Sequence, residues 1–271
     1  MKLRLAQRTG TPVRMAVPMS TTSRPVVVFL HGYLESPAIW AEFIGEHFAD
    51  CHVLTLALPG YDDQSVPDDD YSLEAAADAV RAELERAGAG HAVLVGHSMG
   101  GYVALAFAEK YPGLVAGLGL FHSSALPDTD QDRERRGRNR AFIEEHGVAA
   151  FAEEFLQPQF AAEHRESMAH HLAQLKALAA AVPQAVALAG LEAMGQRPDR
   201  RPVLEKATYP VLFIAGKEDK AVPPEKTHEE SLLPDHSTVL WLANVGHLGF
   251  VERPADTRRA VRQLVQAAFD H

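Results

Sequence analysis

Five residues, Gly96-His97-Ser98-Met99-Gly100, constrain this chain more than any others. The apolar run Ala92-Val93-Leu94-Val95 precedes them. Tyr102-Val103-Ala104-Leu105-Ala106-Phe107-Ala108, with the composition of a buried helix, follows. A strand that passes through Gly-x-Ser-x-Gly directly into a helix turns so sharply that the serine backbone is strained. A side chain at position 96 or 100 would strike the neighbouring strand or helix, and glycine removes that clash. The serine then stands at the carboxyl end of its strand, where a nucleophile is needed. The plainer alternative is a tight turn whose serine only caps the helix.

The surrounding pattern is that of an α/β protein. Residues 3–6 and 13–17 flank the turn Thr9-Gly10-Thr11-Pro12 and read as an opening hairpin. Residues 25–30 form a continuous β-branched run, as expected of a strand buried on both faces. Ser36-Pro37 marks a helix start, with Ile39, Trp40, Phe43 and Ile44 on its apolar side. Further strands are predicted over 51–56, 92–95, 114–121, 209–215 and 238–242. Helices are predicted over 72–84, 225–233 and 254–269. Between Ser123 and Leu204 no strand signal appears. The charge run 130–136 reads there as the solvated face of a helix, and a second helical region at 166–194 is interrupted at Pro183. The expected architecture is a mostly parallel sheet flanked by helices. Its core is 1–122 with 205–271, and a helical cap, 123–204, is inserted after the sixth strand.

Composition narrows the partners. The formal net charge of −10 argues against nucleic acid or an anionic membrane, which both need a basic face. No apolar run approaches the length of a bilayer, and the first residues read as a strand rather than a signal peptide. Cys51 is the sole cysteine, which excludes an internal disulfide and fits a reducing cytoplasm. There is no His-Glu-x-x-His, cysteine pair or dinucleotide glycine fingerprint, so neither a metal nor a cofactor is expected. The partner expected is a small molecule, for a monomer or a homodimer.

A serine hydroxyl is a poor nucleophile at neutral pH. It needs a base within hydrogen-bond reach, and the base needs an orienting carboxylate. Histidine suits the first role. Of the 14 histidines, His247 lies in Val245-Gly246-His247-Leu248-Gly249, between the last strand and the last helix. The carboxylate is expected at a strand end between Ser98 and His247 in chain order. Asp219, in Gly216-Lys217-Glu218-Asp219, fits; Glu218 and Asp128 are the alternatives. The oxyanion of a tetrahedral intermediate needs fixed N–H donors. Met99 supplies one at the amino end of its helix, and Tyr33 the other in the loop His31-Gly32-Tyr33-Leu34. His31 is expected to fix that loop. His97 and His122 are candidates to line the pocket.

Taken together, these pieces resemble the α/β-hydrolase superfamily, in its small cap-bearing branch of esterases and lactonases. The resemblance covers nearly the whole chain. It rests on His31-Gly32, Leu58-Pro59-Gly60-Tyr61, the elbow at Ser98, the 216–219 turn and Gly246-His247. It implies an eight-stranded sheet with its second strand antiparallel, and a helical cap over the pocket. Dehalogenases and epoxide hydrolases of this fold use an aspartate nucleophile, and Ser98 argues against both. The expected activity is hydrolysis of carboxylic esters with a small or medium apolar acyl group, suggested by Phe142, Phe151, Phe155 and Leu156. Carbon–carbon bond cleavage or elimination on a carbonyl substrate is one alternative, and a non-catalytic small-molecule receptor is another.

Overall fold

A computed structural model describes residues 24–66 and 69–270. The elements run β1 Val26–Leu30, α1 Ala41–Ile44, β2 His52–Leu56, α2 Leu73–Arg86, β3 Ala92–His97, α3 Met99–Lys110 and β4 Val115–Phe121. Then come α4 Asp130–Phe155, α5 Ala169–Ala181, α6 Gln184–Gln196 and α7 Arg201–Glu205. The chain closes with β5 Val211–Gly216, α8 Pro224–Glu230, β6 Ser237–Leu242, α9 Gly249–Glu252 and α10 Pro254–Phe269. The predicted opening hairpin lies outside the described residues.

Six strands form one sheet in the order β2-β1-β3-β4-β5-β6, and every pairing is parallel. The sheet therefore has six described strands where eight were expected. These six are the third to eighth of the expected strands, and the first two were expected outside the described residues. Val26 to Leu30 and all of β3 are buried, as the unbroken apolar runs require of strands covered on both faces. Ser72 caps α2 by accepting from the Ala75 N–H, and Leu73, Ala76, Ala77, Val80 and Leu84 turn inward at helical spacing. From Met99 to Ala108 every residue of α3 is buried, which makes it the central helix of the core.

The region expected to start as one helix after Ser36 is instead a 3-10 turn, Pro37–Trp40, then α1, then a second 3-10 turn, Gly45–Phe48. Aromatic packing overrides regular helix here: Trp40, Phe43 and Phe48 all close on Phe29 of β1. Between β4 and β5 the described structure is helical, and α4 is broken at Gly147 (φ 82°). The interruption read at Pro183 separates α5 from α6, which meet at 100°. No single described helix is long and apolar enough to cross a membrane.

The topology fixes where chemistry can occur. The chain runs from β1 outward to β2, then returns to the other side of β1 with β3. In such sheets ligands bind beyond the carboxyl ends of the strands, at the crevice where direction reverses. The loop 31–34 leaves β1 and Ser98 leaves β3, so the two flank that crevice.

Candidate active site

Ser98 has φ 50° and ψ −114°, a conformation that L-residues avoid and that costs about 1–3 kcal/mol. Neighbours on every side hold it there. Its N–H donates to the Phe121 carbonyl at 2.9 Å. Its carbonyl accepts from the Gly101 N–H at 2.9 Å and from the Ser123 hydroxyl at 2.8 Å. A Cβ on Gly96 would lie 2.3 Å from the Gly100 carbonyl group, and one on Gly100 would lie 2.4 Å from the Leu30 carbonyl oxygen. The helix after Ser98 thus packs onto β1 and β3 at distances only glycine allows.

His247 and Asp219 come together at the ends of β6 and β5. His247 Nδ1 lies 2.8 Å from Asp219 Oδ2. The other carboxylate oxygen, Oδ1, accepts from the N–H groups of Ala221 and Val222 at 2.8 and 2.9 Å. Burial pushes the Asp219 carboxyl up, but His247 and His122 more than reverse this and hold it well below the usual carboxylate range. Ser98 and His247 line one cavity of about 510 Å³, together with Tyr33, Tyr102, Phe142, Phe151 and Phe155. Among the described residues the N–H groups of Tyr33 and Met99 donate to no protein acceptor. Glu218 is exposed, and Asp128 is engaged elsewhere, by Arg136 and Arg197.

His31 fixes its loop: Leu58 N–H donates to Nε2 at 3.1 Å, which leaves Nδ1 to donate to the Gly32 carbonyl at 2.9 Å. The cavity lining includes neither His97 nor His122, the two candidates read from the sequence as pocket residues. Both are buried beneath it. His122 is a second donor to the carboxylate, with Nδ1 3.1 Å from Asp219 Oδ2. Its Nε2 accepts from the Gly249 N–H at 3.1 Å, which sets the tautomer. His122, Asp219 and His247 have the residue types of a metal cluster, with ligand atoms within 4.8 Å of one another. Protons already fill those contacts, because both Nδ1–H groups point at one oxygen and Gly249 occupies the remaining nitrogen of His122.

Burial pushes His122 down to about 4, against the attraction of Asp219. In the unfolded chain the same ring titrates near 6.5, so between these values the unfolded state binds the extra proton. Stability is therefore full above about pH 6.5 and falls as the pH drops toward 4, by about 3 kcal/mol from this residue. His97, whose value is raised, contributes with the opposite sign. A comparison with His122→Asn, which keeps a donor toward Asp219 and takes up no proton, isolates the effect. Urea midpoints between pH 7 and 4.5 should fall less steeply in the variant, and equal slopes would contradict this account.

Four contributors gave little sequence signal. Glu35 and Glu252 lie outside any motif, yet both are buried and hydrogen-bonded to the loops around the site. Glu252 accepts from the N–H groups of Gly246 and Ala161, both at 2.9 Å, and so joins the His247 loop to the helical segment. Arg136 belongs to the charge run read as a solvated face. Arg133 and Arg135 are indeed exposed, but Arg136 is half-buried against Asp128, and it lines the cavity beside Arg135. Lys220, next to Asp219, lines it as well.

The elbow serine leaves β3, the histidine–carboxylate pair follows β6 and β5, and Ser98 and His247 line the same cavity. The model of the alpha/beta hydrolase fold matches residues 25–254, and the chain belongs to that family. It is 30% identical to the pimeloyl-[acyl-carrier protein] methyl ester esterase of Aromatoleum aromaticum, over 90% of this chain and 99% of that one. It is 29% identical to the 2-succinyl-6-hydroxy-2,4-cyclohexadiene-1-carboxylate synthase of Citrobacter koseri, over 89% and 94%. Among solved structures, a thermophilic esterase from Thermogutta terrifontis with malate bound superposes with a TM-score of 0.83 at 27% identity, covering 90% of each chain.

Proposed function

We propose that this chain hydrolyses carboxylic esters through an acyl-enzyme on Ser98, with the helical segment 123–204 as a cap over the cavity. The observation that carries this is the His247–Asp219 contact. It occupies Nδ1 and leaves Nε2 as the nitrogen available to Ser98, in the cavity both residues line. Ser98 Oγ attacks the ester carbonyl while His247 Nε2 takes its proton. The oxyanion is held by the N–H groups of Tyr33 and Met99. As the tetrahedral intermediate collapses, His247 returns the proton to the leaving alcohol. Water then attacks the acyl-enzyme by the same route in reverse and releases the acid.

The cavity further favours an acyl group with an apolar stem and a negatively charged end. Phe142, Phe151 and Phe155 supply the apolar wall. On a chain of net charge −10, this cavity is lined by Arg135, Arg136, Arg138 and Lys220 against one carboxylate, Glu154. Arg135 and Arg138 are paired with Asp132 and Glu134, but Asp128 alone serves two guanidinium groups, those of Arg136 and Arg197, so this side of the wall keeps a positive charge. Arg136 spends two nitrogens on Asp128, and its third meets only the weak acceptor Met194 Sδ, at 3.6 Å. One open guanidinium nitrogen suits a carboxylate. The synthase relative named above points the same way, since its name carries a succinyl group and a carboxylate.

The test pairs nitrophenyl half-esters of dicarboxylic acids with their carboxamide isosteres. A charge-assisted contact of about 1.5–3 kcal/mol predicts a ten- to hundredfold preference in kcat/KM for the carboxylate at low salt, narrowing as salt rises. Equal rates would remove the anionic preference and leave the hydrolase reading intact. Binding of both substrates without turnover would favour instead carbon–carbon bond cleavage or elimination on a carbonyl substrate.

A further inference from the structure

On the hydrolase reading above, we infer that Glu35 and His97 work as a pair of positioning residues, a buried brace that ties the oxyanion loop and the His247 loop to the nucleophile elbow. His97 is the last residue of β3 and immediately precedes Ser98. Its Nδ1 lies 2.9 Å from Glu35 Oε2, and its Nε2 lies 2.9 Å from the backbone carbonyl of His247. The same Oε2 accepts from the Gly32 N–H at 2.6 Å. One chain of contacts thus runs from the residue before Tyr33, through the residue before Ser98, to His247 itself.

Both ring nitrogens of His97 face oxygen acceptors. A neutral imidazole carries one N–H and could serve only one of them, so the geometry calls for an imidazolium against a carboxylate. The two groups shift accordingly. Burial opposes the charge on each, and their mutual attraction outweighs it, raising His97 and lowering Glu35. Two ions this deeply buried are a poor way to gain stability, since apolar residues of similar volume do as well or better. What the pair provides is direction. The His247 backbone is held on both sides, its N–H by the Gln159 carbonyl at 2.7 Å and its carbonyl by His97. On the oxyanion side the fit is equally close. A Cβ on Gly32 would lie 2.7 Å from Glu35 Oε2 and 2.8 Å from His97 Nδ1. Neither side chain lines the cavity, so neither touches substrate.

The test is a double-mutant cycle read as ester turnover per fluorophosphonate-reactive site. Glu35→Ala and His97→Leu should each lower kcat ten- to hundredfold with KM within about twofold, because a base or oxyanion donor displaced by a fraction of an ångström is felt in the transition state. The double variant leaves no ion unpaired. It should be no slower than the slower single variant, since a pair acting as a unit is lost only once. Glu35→Gln, which can still hold the Gly32 N–H, should recover part of the rate. Loss of melting temperature with unchanged kcat per reactive site would overturn the proposal. Should the single variants fail to fold, the wild-type protein still decides it: the ring ¹⁵N signals of His97 at neutral pH should report two protonated nitrogens, and a single neutral tautomer would refute the brace. Absence of ester turnover in the wild-type protein would count against the hydrolase reading, and the nitrogen signals would still test the brace.

Discussion

Ser98→Ala should abolish fluorophosphonate labelling and lower ester hydrolysis by about a millionfold in kcat, the loss expected when a serine nucleophile is removed. The fold should survive. The elbow is built from backbone contacts and two glycines, and alanine keeps the Ser98 N–H to Phe121 and the carbonyl that Gly101 and Ser123 engage. Alanine also inherits the strained φ of 50° without a new penalty, since it has the same Cβ. Circular dichroism and melting temperature should therefore match the wild-type protein while turnover disappears. Retained hydrolysis would take Ser98 out of the mechanism. Binding of a carboxylate half-ester to this variant, measured by calorimetry against the matching carboxamide, gives the anion preference of the cavity free of any chemical step.

The elbow could be read from the sequence because its constraint is local. Only glycine fits at 96 and 100, and only a strand-to-helix turn makes that necessary. The strand ends bearing Asp219 and His247 were legible for a related reason, since apolar runs ending in Gly-containing turns mark the carboxyl edge of a parallel sheet. Glu35 was not legible. Its role depends on a partner 62 positions away, and a lone acidic residue in a loop has no period to betray it. Arg136 was masked by its neighbours. A run of alternating charges reads as exposed, and which member turns inward is decided by Asp128 and by the packing of α4 against α6. His122 follows directly on β4, a position legible in the sequence, but its place behind Asp219 depends on the Gly249 N–H, fixed by the loop after β6.

Asp219→Asn should slow turnover by about ten-thousandfold, and the reason lies in which atoms surround the carboxylate. Oδ1 receives two backbone N–H groups and Oδ2 faces the Nδ1 atoms of two histidines. Every contact requires an acceptor. An amide offers one oxygen and one NH₂, so one side must lose. Placing the oxygen toward Ala221 and Val222 aims the NH₂ at His247 Nδ1, which must then give up its proton and accept. The proton moves to Nε2, and His247 presents Ser98 with a donor where a base is needed. The opposite rotamer keeps the tautomer but sets the NH₂ against two backbone donors, at a cost of about 1–3 kcal/mol for each group left unsatisfied. The first rotamer is therefore favoured, and kcat collapses while KM changes little. Glu218→Gln should leave kcat within about twofold, because that side chain is exposed. A mild effect of Asp219→Asn alongside a severe effect of Glu218→Gln would reassign the carboxylate.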